Sequence, residues 1–169
     1  VKEYPESALT QEAYFRLAEH YYDEDNLDTA SHAYRQVLRK QDLVYYEKAL
    51  YKLGWTLFQM KAYSESADNF LSFLNLKGFQ VTSGGKAGEM NLPSSDLNTA
   101  WEVANTSILV FDYMGGAAEV EDYFKTSGDH RYETYVYRRL GDLYMEMGRF
   151  KEAADIYEVF LRSNPLHED

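Results

Sequence analysis

Four times along the chain, an apolar frame is followed at one fixed interval by a small residue that opens a second frame. Tyr14, Leu17, Ala18 and Tyr21 precede Ala30 and Tyr34, and Leu50, Leu53, Gly54 and Leu57 precede Ser66 and Phe70. Tyr137, Leu140, Gly141 and Tyr144 precede Ala153 and Tyr157, and a divergent copy sets Ala104, Ser107, Ile108 and Phe111 before Val120 and Phe124. The step from Leu17 to Ala30 is 13 residues, and it is 13 again from Leu53 to Ser66, Ser107 to Val120 and Leu140 to Ala153. Copies that start at Tyr14, Leu50, Ala104 and Tyr137 lie 36, 54 and 33 residues apart. This spacing implies a unit of about 34 residues with one insertion of about 20.

Within each copy the apolar residues recur at i, i+3, i+4 and i+7, the period of one helix face. The small residues Ala18, Gly54 and Gly141 on the first helix, with Ala30 and Ala153 on the second, permit a close crossing. Met147-Gly148-Arg149 and Asp25-Asn26-Leu27-Asp28 supply turns between the two helices. The pattern predicts an all-α fold of eight helices, over 8–23, 27–41, 44–61, 63–77, 96–114, 116–126, 132–147 and 150–163. Residues 78–95, rich in Gly and Ser, are expected as a solvent-exposed, mobile loop, because a connection longer than about 12–15 residues without its own period is functional or disordered.

The frame of aromatic, Leu-Gly, Tyr, then Ala, aromatic and Pro (Tyr137, Leu140-Gly141, Tyr144, Ala153, Tyr157, Pro165) resembles the tetratricopeptide repeat, TPR. That resemblance implies a right-handed superhelical stack of about four TPR-like helical hairpins, with units at about 11–44, 47–77, 101–127 and 134–167, the third one degenerate. The whole of 1–169 is then a single array. Tyr4-Pro5 resembles the closing Pro of a preceding unit, and Pro165 closes the last with no polar helix to cover it. A fragment of a longer chain is the expectation, with neighbouring repeats of the parent as partners. Ala49-Leu50-Tyr51-Lys52-Leu53-Gly54-Trp55 and the Tyr4-Pro5-Glu6-Ser7 junction resemble TPR proteins of the bacterial cell envelope, of the Tol-Pal accessory and outer-membrane assembly types. A periplasmic or envelope-facing scaffold is what that likeness implies.

Chemistry is hard to place. Seventeen Lys and Arg stand against 28 Asp and Glu, a formal charge of −11, which repels a nucleic-acid backbone at long range. No Cys is present, so thiolate catalysis, disulfides and Cys-based zinc sites are excluded. The longest aliphatic and aromatic run, Ile108 to Phe111, falls far short of the ~20 residues of a spanning helix. Ser83-Gly84-Gly85-Lys86-Ala87-Gly88 lacks the Gly spacing and the Ser or Thr of a phosphate loop. Asp23 to Asp28 lacks the sixth-place Gly of a calcium loop. The four His form no metal-ligand spacing. We expect no catalytic residue, no metal and no cofactor.

Surface is what remains. Beside the core stripe of each first helix runs a second stripe, which TPR arrays typically turn toward their concave face. It comprises Glu12, Phe15, Glu19 and Tyr22; Lys48, Tyr51, Trp55 and Phe58; Glu102, Asn105, Leu109 and Asp112; and Tyr135, Arg138, Asp142 and Met145. Aromatic and Arg side chains are the usual anchors of interfaces. The expected function is therefore a protein-binding scaffold that takes a peptide or helix of a partner in a groove of Phe15, Tyr22, Tyr51, Trp55, Phe58, Asn105 and Arg138. The alternative is a structural spacer between neighbouring domains. The chaperone-carboxylate clamp of some family members is not carried over, since Phe15 and Glu19 stand where its first Lys and Asn would.

Overall fold

The computed structural model describes residues 8–39, 44–81 and 93–163. Eight helices follow one another among them: α1 (Ala8–Asp23), α2 (Leu27–Val37), α3 (Tyr46–Gln59), α4 (Tyr63–Leu76), α5 (Ser94–Met114), α6 (Ala117–Ser127), α7 (Glu133–Glu146) and α8 (Phe150–Ser163). No β-sheet forms among the described residues. The all-α fold expected from the repeat is thus present, and its helical hairpins fall into two compact units, Val1–Leu76 and Lys77–Asp169.

Three of the turns are built alike. The Asn26 N–H bonds the Tyr21 carbonyl at 2.9 Å, Ala62 bonds Leu57 at 2.9 Å, and Arg149 bonds Tyr144 at 2.8 Å. Each closes a Schellman motif, which takes one residue into the left-handed region. Those residues are Asp25 (φ 59°), Lys61 (φ 61°) and Gly148 (φ 72°), all in the same register of the repeat. Asn26 then caps α2, its side chain accepting the Thr29 N–H at 3.3 Å. The acidic stretch Asp23 to Asp28 is this hairpin turn.

In the first unit, α1 pairs with α2, α3 with α4, and α2 with α3. Ala18, Ala30, Tyr34, Val37, Ala49, Leu53 and Leu57 share one buried core. The close crossing is real: the Ser66 hydroxyl donates to the Gly54 carbonyl at 2.8 Å, and a Cβ on Gly54 would stand 2.6 Å from the Phe70 ring. Buried Gln11 joins the two hairpins, donating to the Val37 carbonyl at 3.1 Å and accepting the Tyr45 N–H at 3.3 Å. One expectation needs correction here. Leu17, placed in the core stripe of α1, is 41% exposed, whereas its counterparts Leu53 and Leu140 are 1% and 0%. The stripe is present, but no preceding hairpin among the described residues covers it.

In the second unit, α7 and α8 form the tight hairpin, α5 lies on α7 and α6 on α8. The third hairpin is looser. Its helices meet where Phe111 stacks on Phe124 (5.6 Å, 20°) beside the Gly115–Gly116 turn, whose φ values of 135° and 131° suit glycine alone. A second correction concerns the expected exposed loop over 78–95. Phe79 is a core residue, 4% exposed, with its ring 5.5 Å from Trp101, 6.2 Å from Tyr132 and 5.8 Å from Tyr135. The Tyr132 hydroxyl donates to the Phe79 carbonyl at 3.1 Å. The Lys77 ammonium meets Asp96 at 3.0 Å, joining the two stems of the insertion, and α5 already begins at Ser94. Residues 82–92, including the phosphate-loop-like stretch, lie outside the described residues.

Candidate functional site

The candidate groove residues belong to two separate units. Phe15, Tyr22, Tyr51, Trp55 and Phe58 are in the first, and Asn105 and Arg138 are in the second.

Three of the five in the first unit form a continuous run along α3. Trp55 stands edge to face with Tyr51 (6.5 Å, 73°), with Phe58 (5.9 Å, 88°) and, across the hairpin, with Phe70 of α4 (5.7 Å, 80°). Tyr51 continues to Phe73 at 6.1 Å, and Phe58 to Tyr63 at 5.8 Å. This order follows from sequence spacing, because positions 51, 55 and 58 are i, i+4 and i+7 on one face. All three side chains are half-buried. Each side chain is thus covered in part by its ring neighbours and accessible in part, as in an apolar contact surface.

Phe15 and Tyr22 sit differently. Phe15 packs on Tyr34 (5.9 Å) and Tyr45 (5.1 Å), against the core cluster. Tyr22 is held in the seam between α1 and α3: its hydroxyl accepts a hydrogen bond from the Gln59 amide, and the Lys52 ammonium lies 5.7 Å from the ring centroid. Lys52 also pairs with Glu19 at 3.0 Å. Glu19 in turn accepts the hydroxyl of buried Tyr34, and burial first, then this bond, raises that hydroxyl far above its ordinary pKa. Lys52, Gln59 and Tyr34 thus complete the seam. Sequence reasoning passed over Lys52, although it lies four residues from Lys48 on the same helix.

In the second unit, Asn105 is exposed on α5, and Arg138 is half-buried with Asp142 at 4.0 Å. Tyr135, expected beside Arg138 in the groove stripe, is instead buried against Phe79. The stripe's Asp112 carboxylate is also engaged, with Arg149 at 2.7 Å. The guanidinium of Arg149 in turn lies 4.2 Å from the Tyr144 ring. Among the described residues no three metal-ligating side chains converge, and no helix is long and apolar enough to cross a membrane.

Two tetratricopeptide repeat family models match the chain, one over residues 15–74 and the other over 135–167. The first spans the hairpins of α1 to α4, and the second the hairpin of α7 and α8. No curated protein matches. The degenerate α5–α6 hairpin falls between the two matched stretches, where the structure is also loosest. Helical hairpins with small residues at their crossings and Schellman turns in one register account for both matches, and the chain belongs to the tetratricopeptide repeat family.

Proposed function

We infer that this chain is a non-enzymatic scaffold that binds a peptide or helix of a partner protein along the aromatic face of α3. The observation that carries the reading is the run Tyr51, Trp55 and Phe58, three half-buried rings in edge-to-face order on one helix. Such rings lose little side-chain entropy on binding and present large apolar area, the usual make-up of interface anchors. Exposed Lys48 on the same helix adds a cation beside this face in a chain of net charge −11, while Lys52 is paired with Glu19 in the seam. Partner segments with an apolar anchor and acidic flanks suit it best. A cell-envelope setting belongs to the same reading and is supported by the likeness of the Ala49-to-Trp55 stretch to envelope repeats.

The test is a random-peptide display selection against the wild-type chain, followed by affinity and melting measurements on Trp55→Ala. Peptides that bind wild type and lose ~2 kcal/mol or more on Trp55→Ala, with the variant still folded, support the groove. If the selected peptides bind Trp55→Ala equally well, or if no peptide is enriched, the spacer reading takes its place.

A further inference from the structure

On α3 the stripe beside the core differs from its counterparts in the other hairpins. It reads Lys48, Tyr51, Trp55 and Phe58, three rings in succession after a cation. On the other three first helices the same stripe carries an acid beyond its first place, Glu19 on α1, Asp112 on α5 and Asp142 on α7. Lys48 is exposed, its ammonium 5.6 Å from the Tyr45 ring centroid. Lys61 is exposed in the turn that follows the run, and its N–H donates to the Phe58 carbonyl at 3.0 Å. Neither lysine pairs with a carboxylate among the described residues. In a chain of net charge −11, the rings thus have an ammonium without a counter-ion at each end of their run.

The spacing of the rings narrows what can lie on them. Trp55 stands 6.5 Å from Tyr51 and 5.9 Å from Phe58. A polyproline II segment repeats its face only every ~9 Å and falls out of step. On a helix, residues four apart are separated by about 6 Å, and on a strand, residues of one face by about 6.7 Å. Backbone chemistry decides between these two. The α3 backbone is bonded within its own helix, and no sheet edge exists among the described residues. An extended segment pressed onto the rings would therefore bury N–H and C=O groups with nothing to meet them. A helix arrives with its backbone already paired.

We propose that the occupant of the α3 face is an amphipathic helix with acidic ends, which carries apolar side chains at i, i+4 and i+7 and a carboxylate about one turn beyond each end of that stripe. The apolar side chains interdigitate with Tyr51, Trp55 and Phe58, and the carboxylates meet Lys48 and Lys61. This names the partner class for the docking function proposed above and rests on it. The acids elsewhere on the surface, repelling the carboxylates, restrict such a helix to this one face.

Three synthetic peptides test this by fluorescence anisotropy against the full chain. The first is a lactam-bridged helix of the stated pattern, with leucine as the apolar residue and glutamate as the acid. The second keeps those side chains but has no bridge and places a proline at the middle of its outer face. The third is the bridged helix with lysine in place of both glutamates. Wild type should bind the first, and the second more weakly by about tenfold or more, since proline breaks a helix. Lys48→Glu and Lys61→Glu alter exposed positions and should keep the melting temperature. Each should weaken the first peptide by about threefold, and the double variant should prefer the third. These differences should shrink as salt is raised. Equal binding of the first two peptides by wild type, with both lost on Trp55→Ala, overturns the helix and leaves the α3 face as the docking site. A helix that binds with no response to Lys48→Glu or Lys61→Glu overturns the acidic ends. If no peptide binds, or if binding ignores Trp55→Ala in a variant that stays folded, the α3 docking function falls as well.

Discussion

The Tyr157 hydroxyl donates to the Asp142 carboxylate at 3.2 Å, fifteen residues earlier in the chain, and Tyr34 stands in the same relation to Glu19. In both hairpins the acid follows the small residue at the crossing, Ala18 or Gly141. In the second hairpin the aromatic is Phe70, which has no hydroxyl, and Trp55 replaces the acid and meets the ring edge to face. The third hairpin keeps the same rule in its sequence, with Phe124 and Leu109. Tyrosine goes with an acid, and phenylalanine with an apolar neighbour. Tyr34→Phe should cost ~1.5–3 kcal/mol, the scale of a hydrogen bond to a charged acceptor. Tyr157→Phe should cost less, because Asp142 is more accessible to water. A double-mutant cycle of Tyr34→Phe with Glu19→Gln, read by denaturant unfolding, should show coupling of ~1 kcal/mol or more.

Glycine at the crossing is a packing requirement, not a conformational one. A Cβ on Gly54 would lie 2.6 Å from Phe70, a ring with no exposed surface, and one on Gly141 would lie 2.5 Å from Tyr157. Overpacking typically costs ~1–3 kcal/mol, against a helix-propensity gain of up to ~1 kcal/mol for Gly→Ala. Gly54→Ala should therefore lose ~1–2 kcal/mol in urea unfolding. Gly141→Ala should lose less, since half-buried Tyr157 can swing outward by giving up its bond to Asp142.

Lys61 carries strain that Gly148, at the same place in the fourth hairpin, does not. Its φ of 61° lies in the left-handed region, which costs an ordinary L-residue ~1–2 kcal/mol. Lys61→Gly should raise the melting temperature, with a gain of ~0.5–1 kcal/mol once the added backbone entropy of glycine is subtracted. Gly148→Lys should lower it by a similar amount.

Much of this was legible in the sequence, for a clear reason. The i, i+3, i+4, i+7 period and the 13-residue step record contacts inside one hairpin, and the eight helices follow from them to within a few residues. Contacts between hairpins leave no such trace. Leu17 occupies the same place in its frame as Leu53 and Leu140, so only the neighbouring helices decide whether it is covered. Phe79 is a single aromatic in a Gly- and Ser-rich stretch, where no periodicity can signal burial. At the candidate site, the spacing of Tyr51, Trp55 and Phe58 was sufficient to place them together. The seam of Glu19, Tyr34, Lys52 and Gln59 was not, because it joins residues from three helices.

The buried tyrosines give the fold an alkaline limit. Burial pushes the Tyr132 and Tyr144 hydroxyls from an ordinary 10.0 up to about 12, and it raises those of Tyr34, Tyr135 and Tyr137 as well. A pKa higher in the folded than in the unfolded state means that the native protein holds the proton more tightly. The stability these groups contribute is whole below the unfolded value of about 10 and is lost as pH rises through the folded values. Melting temperature should be insensitive to tyrosine ionisation from neutral pH to about 10, and should then fall toward about 12. The tyrosinate absorbance of these five buried residues should appear only together with the loss of helicity, so Tyr132→Phe and Tyr144→Phe should each remove absorbance from that late phase. Loss of absorbance from an earlier phase, with the helices intact, would contradict this.

The Lys77–Asp96 clasp and the buried Phe79 ring set the two stems of the insertion, so a change of length between the stems leaves their packing in place. With the stems already held at 3.0 Å, the penalty for a longer excursion is only the logarithmic growth of loop entropy, about 0.6 kcal/mol for each doubling of length. A sequence grafted there burdens neither Phe79, which anchors one stem, nor α5, which begins at the other. The array can thus acquire a new appendage at this position without renegotiating the packing of its hairpins.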